Sequence, residues 1–149
     1  MNYGKHGSYR IEGRAKLWKT ETLNLVYRLL SDEGWQQVEN SYKDLCNRDF
    51  LDVLKKGDRI LGIVTQGDYA IGNYSVRNHL RTLEEKDCDI AVCACTIGEY
   101  KQKIQNAITS YPKYHFIDKR RCEDGILRKD DSEKAMEIIT LLNSIINME

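Results

Sequence analysis

Apolar residues recur along this chain with two different periods. From Thr20 to Ser31, Leu23, Val26, Tyr27 and Leu30 follow i, i+3, i+4, i+7, which predicts one buried face of a helix. Gly34 stands where a glycine commonly closes a helix. Residues 35–48 carry no decisive period; an edge strand and a short helix both fit. Phe50–Leu54 and Arg59–Val64 then flank Lys55-Lys56-Gly57-Asp58, a turn signal, and predict a hairpin. Its second arm is apolar nearly throughout, as in a strand buried on both faces. Val76, Leu80 and Leu83 predict a second helix, and Ile90–Cys95 another buried strand. Ile104, Ala107, Ile108 and Tyr111 mark a third helix, ended by Pro112. Tyr114–Ile117 reads as a strand. Ala135, Ile138, Ile139, Leu142, Ile145 and Ile146 mark a last helix. Asp130 and Glu133 are spaced like a capping box at its start. Residues 8–12 read as a short first strand, and residues 1–7 as a loose end.

The order is strand, helix, hairpin, helix, strand, helix, strand, helix. Apolar strands alternating with amphipathic helices predict an α/β domain: a mostly parallel sheet with helices on both faces and one antiparallel hairpin strand. With 149 residues and no low-complexity linker or repeat, residues 1–149 are expected to form a single domain. In such sheets ligands bind beyond the C-terminal strand ends. Three predicted loops leave those ends: 13–19, 65–74 and 96–99.

Charge narrows the partners. Lys and Arg total 23, as do Asp and Glu. This balance argues against a chain that coats nucleic acid or an anionic membrane, so no nucleic-acid partner is expected. No apolar run approaches a membrane span, no signal-peptide pattern opens the chain, and a cytoplasmic location is the expectation. A protein partner or a homo-oligomer remains open. The five cysteines are scattered, without a C-x-x-C pair; Cys93 and Cys95 share one face of a strand and read as small core residues. The three histidines are too dispersed to suggest a metal site.

Candidate chemistry centres on Gly13-Arg14-Ala15-Lys16-Leu17-Trp18-Lys19-Thr20. Gly13 permits a turn that other residues resist, and Arg14, Lys16 and Lys19 place three cations within six residues. A helix follows, and its N-terminus attracts anions. An anion site is physically reasonable there. Lys19 is positioned to neutralise phosphate, and Thr20 to offer a hydroxyl to Mg²⁺. After the most apolar strand come Gln66, Gly67 and Asp68; Asp68 is a candidate for holding Mg²⁺ through water and Gln66 for orienting a water. A turn with Asp68 as a helix-capping acceptor fits equally well. Lys119, Arg120 and Arg121 read as a solvated loop or a phosphate lid. Trp18, Tyr69 and Tyr74 are candidates for stacking on a base, or for covering apolar surface.

Ile11-Glu12-Gly13, Trp18-Lys19-Thr20-Glu21-Thr22-Leu23, the hairpin and Ile63–Asp68 together resemble a small P-loop NTPase-like protein with a degenerate Walker A loop. The likeness in layout covers roughly residues 9–117. It implies a P-loop NTPase-like α/β fold and a nucleotide ligand, ATP with Mg²⁺. The roles it implies are phosphate contact for residues 13–20, catalysis for Lys19, Asp68 and Gln66, and metal binding for Thr20 and Asp68. Trp18 stands in place of the second loop glycine, whose absence of a side chain lets the backbone close on a phosphate. The carboxylate usual at the strand end is replaced by Thr65 or Gln66. Weak or absent hydrolysis is therefore expected. The alternative is a nucleotide-free binding module that acts through a protein partner.

Overall fold

The computed structural model describes residues 8–13, 16–96, 102–118 and 127–147. Its elements run β1 (Ser8–Gly13), α1 (Lys16–Asp32), β2 (Gln36–Gln37), β3 (Lys43–Cys46), β4 (Asp49–Lys56), β5 (Arg59–Val64), α2 (Val76–Glu85), β6 (Ile90–Thr96), α3 (Gln102–Thr109), β7 (Tyr114–Asp118) and α4 (Leu127–Asn147).

The strands form one sheet in the order β2-β4-β5-β6-β1-β7, with β3 also pairing β4. Pairs β5–β6, β6–β1 and β1–β7 are parallel. Pairs β2–β4, β3–β4 and β4–β5 are antiparallel. The sheet is therefore mixed, and the expectation of a mostly parallel, P-loop NTPase-like sheet with one antiparallel hairpin strand is corrected. The reason lies in residues 35–48. Without a clear apolar period, they fold as two short strands on the outer edge of β4, and the two-residue turn from β3 into β4 allows only antiparallel pairing. The α/β character stands.

Alternation along the central strands divides the core. On β6, Ile90, Val92 and Ala94 face α1 and α4, together with Leu61 and Ile63 of β5. Ala91, Cys93 and Cys95 face α2 and α3, together with Val64. Cys93 and Cys95 are fully buried and form no disulfide, acting as small packing residues. Leu23, Val26 and Leu30 of α1 pack on Ala135, Ile138 and Leu142 of α4, as their helical spacing predicts.

Helix ends account for two differences from the sequence expectation. Gly34, at φ +98°, ends α1; Trp35 N–H donates back to the Leu30 carbonyl at 3.0 Å. At the other end α1 begins at Lys16, four residues before Thr20, where the apolar period predicts its start. Likewise α4 begins at Leu127, so Asp130 lies inside the helix and is not its cap. Residues 1–7, Arg14, Ala15 and Lys119–Arg121 lie outside the described residues.

A buried carboxylate ties the antiparallel edge to α1. Asp52 of β4 is closed off from solvent. It accepts from Tyr27 Oη (2.6 Å), Gln37 Nε2 (2.8 Å), Ser41 Oγ (2.6 Å) and its neighbour's Val53 N–H (2.8 Å). The Tyr27 phenol is pushed well above its ordinary range, first by burial and then by its hydrogen bond to Asp52.

Candidate site at the carboxyl end of the parallel strands

The connection from β1 to α1 is short. Gly13 pairs with Thr96 at the end of β6, and only Arg14 and Ala15 separate it from the helix. The predicted loop 13–19 is corrected accordingly: Lys16, Leu17, Trp18 and Lys19 form the first turn of α1. The reason is that nothing in Lys16–Lys19 breaks a helix, since the glycine that would open the loop is Trp18. The first four N–H groups of any helix lack intrahelical acceptors, so this turn still presents donors and a positive dipole end.

Thr20 follows directly and is 1% exposed. Its hydroxyl donates to Asp49 Oδ1 at 2.9 Å. The Thr65 hydroxyl, at the end of β5, donates to the same oxygen at 2.8 Å and accepts from Phe50 N–H at 2.9 Å. Asp49 opens β4, and it too is 1% exposed. Because β4 runs against β5, its first residue sits at the carboxyl end of the parallel strands. A buried carboxylate thus stands beside Thr20, at the place where the sequence offered only Thr65 or Gln66.

Asp49 is the residue that sequence reasoning missed. The signal was present in the hairpin. The two-residue connection Gly57-Asp58 pairs Lys56 with Arg59 and Leu51 with Val64. Continuing that register by two residues sets Asp49 across from Gln66.

Gln66 and Asp68 lie in the same region. Gln66 is buried, and its Oε1 is hydrogen-bonded to His79 Nε2 at 2.8 Å. Gly67 between them runs hard against β6: an added Cβ would stand 2.0 Å from the Ala94 carbonyl oxygen. The Gly67 carbonyl in turn accepts from Thr96 N–H at 2.8 Å. Only a residue without a side chain admits this approach. Asp68 is half-buried.

His79, on α2, is the second residue that the sequence did not single out. It is 1% exposed. Its pKa is lowered from 6.5 to about 4, first by burial and then by Lys43; Asp49, a hydrogen bond to the Tyr74 backbone and Asp68 oppose the shift. The ring is therefore neutral at pH 7. Tyr74 packs edge-on against it, with ring centroids 6.4 Å apart. Ser75 caps α2, its hydroxyl accepting from Asn78 N–H at 3.1 Å.

The turn from β3 into β4 borders this region. Cys46, Asn47 and Arg48 all adopt positive φ, and Arg48 reaches Glu21 of α1 at 2.5 Å. Both partners are exposed, so the pair positions the turn and contributes little stability.

No protein-family model, no curated protein and no solved structure matches this chain. Among the described residues no helix is long and apolar enough to cross a membrane.

Proposed function

We propose that the chain binds a nucleotide, with ATP favoured, at the carboxyl end of its parallel strands, and that it hydrolyses it slowly or not at all. The observation that supports this reading most is the convergence of Thr20 and Thr65 on one buried Asp49 oxygen beside the first turn of α1. The helix N-terminus and the cations Lys16 and Lys19 suit a polyphosphate. The oxygen atoms of Thr20 and Asp49 suit Mg²⁺, a hard cation that takes one or two protein side chains and completes its shell from phosphates and water. Among the described residues no group of three or more His, Cys, Asp or Glu is placed to hold a metal; a phosphate-completed site needs none. When bound, Mg²⁺ would neutralise phosphate charge. Gln66 is engaged by His79, and His79 is closed from solvent with its basicity lowered by burial, so neither is set to activate a water as the fold stands. Slow or absent turnover follows. Calorimetry with ATP and Mg²⁺ tests the site: heat of binding for the wild type and none for Lys19→Ala supports it. Equal heats for the two proteins, or none for either, would sink it.

One observation favours a second reading, a nucleotide-free module acting through a protein partner. The Thr20 and Asp49 side chains are closed from solvent, and only two residues separate β1 from α1, so no long loop stands ready to wrap a phosphate. Trp18→Gly discriminates: nucleotide affinity that appears only in the mutant supports this second reading.

A further inference from the structure

A separate feature lies on the outer face of α2 and α3. Two adjoining hollows of about 370 and 440 Å³ meet at Ala70, Ile71 and Arg77. Arg77 and Arg81 stand one helical turn apart on α2, and Lys103 faces them from α3. All three are exposed, and among the described residues none of them enters an ion pair. The carboxylate at the far end of this groove, Glu84, accepts a hydrogen bond from Tyr111 Oη at 3.3 Å. Among the described residues, three cations against one carboxylate give the groove a positive surplus, although the chain as a whole is neutral. Ile71 rises at its rim with 73% of its surface in solvent, the most exposed large apolar residue among those described.

We propose that this groove docks an acidic peptide segment of a partner protein. Arg77, Arg81 and Lys103 pair with its carboxylates, and Ile71 packs against an aliphatic residue between them. Charge complementarity selects an anionic occupant. Ile71 selects a peptide over a nucleic acid: among the described residues no aromatic ring lines either of these two hollows, and base stacking is what single-stranded nucleic acid uses. The groove is formed by α2, α3 and residues 70–72, so the proposal stands independently of the nucleotide reading.

The test is fluorescence anisotropy with a fluorescein-labelled peptide of glutamate and leucine at physiological salt. The wild type binds. Arg77→Glu with Arg81→Glu weakens binding by about tenfold or more, and Ile71→Asp weakens it by about threefold or more. Lys55→Glu with Lys56→Glu makes the same change in net charge on exposed residues of the β4 hairpin and costs less than about twofold. Circular dichroism of each variant checks that the fold is kept; Ile71→Asp leaves both helices untouched. No binding by the wild type overturns the proposal. So does an equal loss in the Lys55/Lys56 control, or tighter binding of oligothymidylate with the same dependence on Arg77 and Arg81.

Discussion

Acid is the perturbation that this fold opposes most specifically at His79. The imidazole is sealed between α2 and the end of β5, hydrogen-bonded to Gln66 and covered by the Tyr74 ring. Burial, assisted by Lys43, depresses its pKa from 6.5 to about 4. In the unfolded chain the same ring takes up a proton near pH 6.5. Above that pH both states are neutral, and the full stability is present. As the pH falls from 6.5 toward 4, the unfolded state binds a proton that the folded state resists, and stability is lost. Below about 4 both states are protonated and this group adds no further slope. Each unit of separation is worth about 1.4 kcal/mol, so the whole window costs about 3 kcal/mol. That is a large fraction of a small domain's stability. Urea denaturation at a series of pH values, for the wild type and for His79→Gln, measures it. Carboxylates titrate in both proteins and cancel in the difference. The wild type should lose about 3 kcal/mol more than the variant between pH 6.5 and 4. Parallel curves would show that the ring is not held neutral by burial, and the description of the α2–β5 contact would be wrong.

Two other perturbations separate packing from hydrogen bonding. Asp52→Ala removes the acceptor of four donors and should cost about 3–5 kcal/mol, with Asp52→Asn losing less, because it keeps the shape and part of the acceptor capacity. Denaturation midpoints for the two variants check this, and an alanine variant within about 1 kcal/mol of wild type contradicts it. Gly67→Ala drives a methyl into the Ala94 carbonyl and should cost about 2 kcal/mol or more. Gly72→Ala, at φ +94° but with nothing within 4 Å, should cost only about 1 kcal/mol. Equal thermal shifts for the two would deny that β5 and β6 close tightly at Gly67.

Periodicity made the helix faces and buried strands legible. Leu23, Val26 and Leu30, and the alternation along Ile90–Cys95, went into the core as their spacing requires. The mixed character of the sheet was not legible, because β2 has two residues and β3 shows one buried position, Leu45, too little apolar surface to announce a strand. The start of α1 was hidden for a related reason. The apolar period begins at Leu23, whereas the backbone becomes helical once Arg14 and Ala15 are passed. At the site, Thr20 and Gln66 could be found from their place in the chain. Asp49 and His79 could not be found that way. Asp49 is twenty-nine residues from Thr20 and reaches it only through antiparallel pairing. His79 looks like any polar position on an amphipathic helix until α2 is set against the end of β5.

In the proposed function, Asp49 and Thr20 form the metal-assisted part of a nucleotide site. Calorimetric titration of ATP into the wild type and Asp49→Asn, each with and without Mg²⁺, addresses it most directly. Asparagine keeps the shape of the side chain and removes its charge. Mg²⁺ should tighten ATP binding in the wild type and have no effect in Asp49→Asn. The same Mg²⁺ dependence in both proteins, or no ATP binding in either, would contradict it.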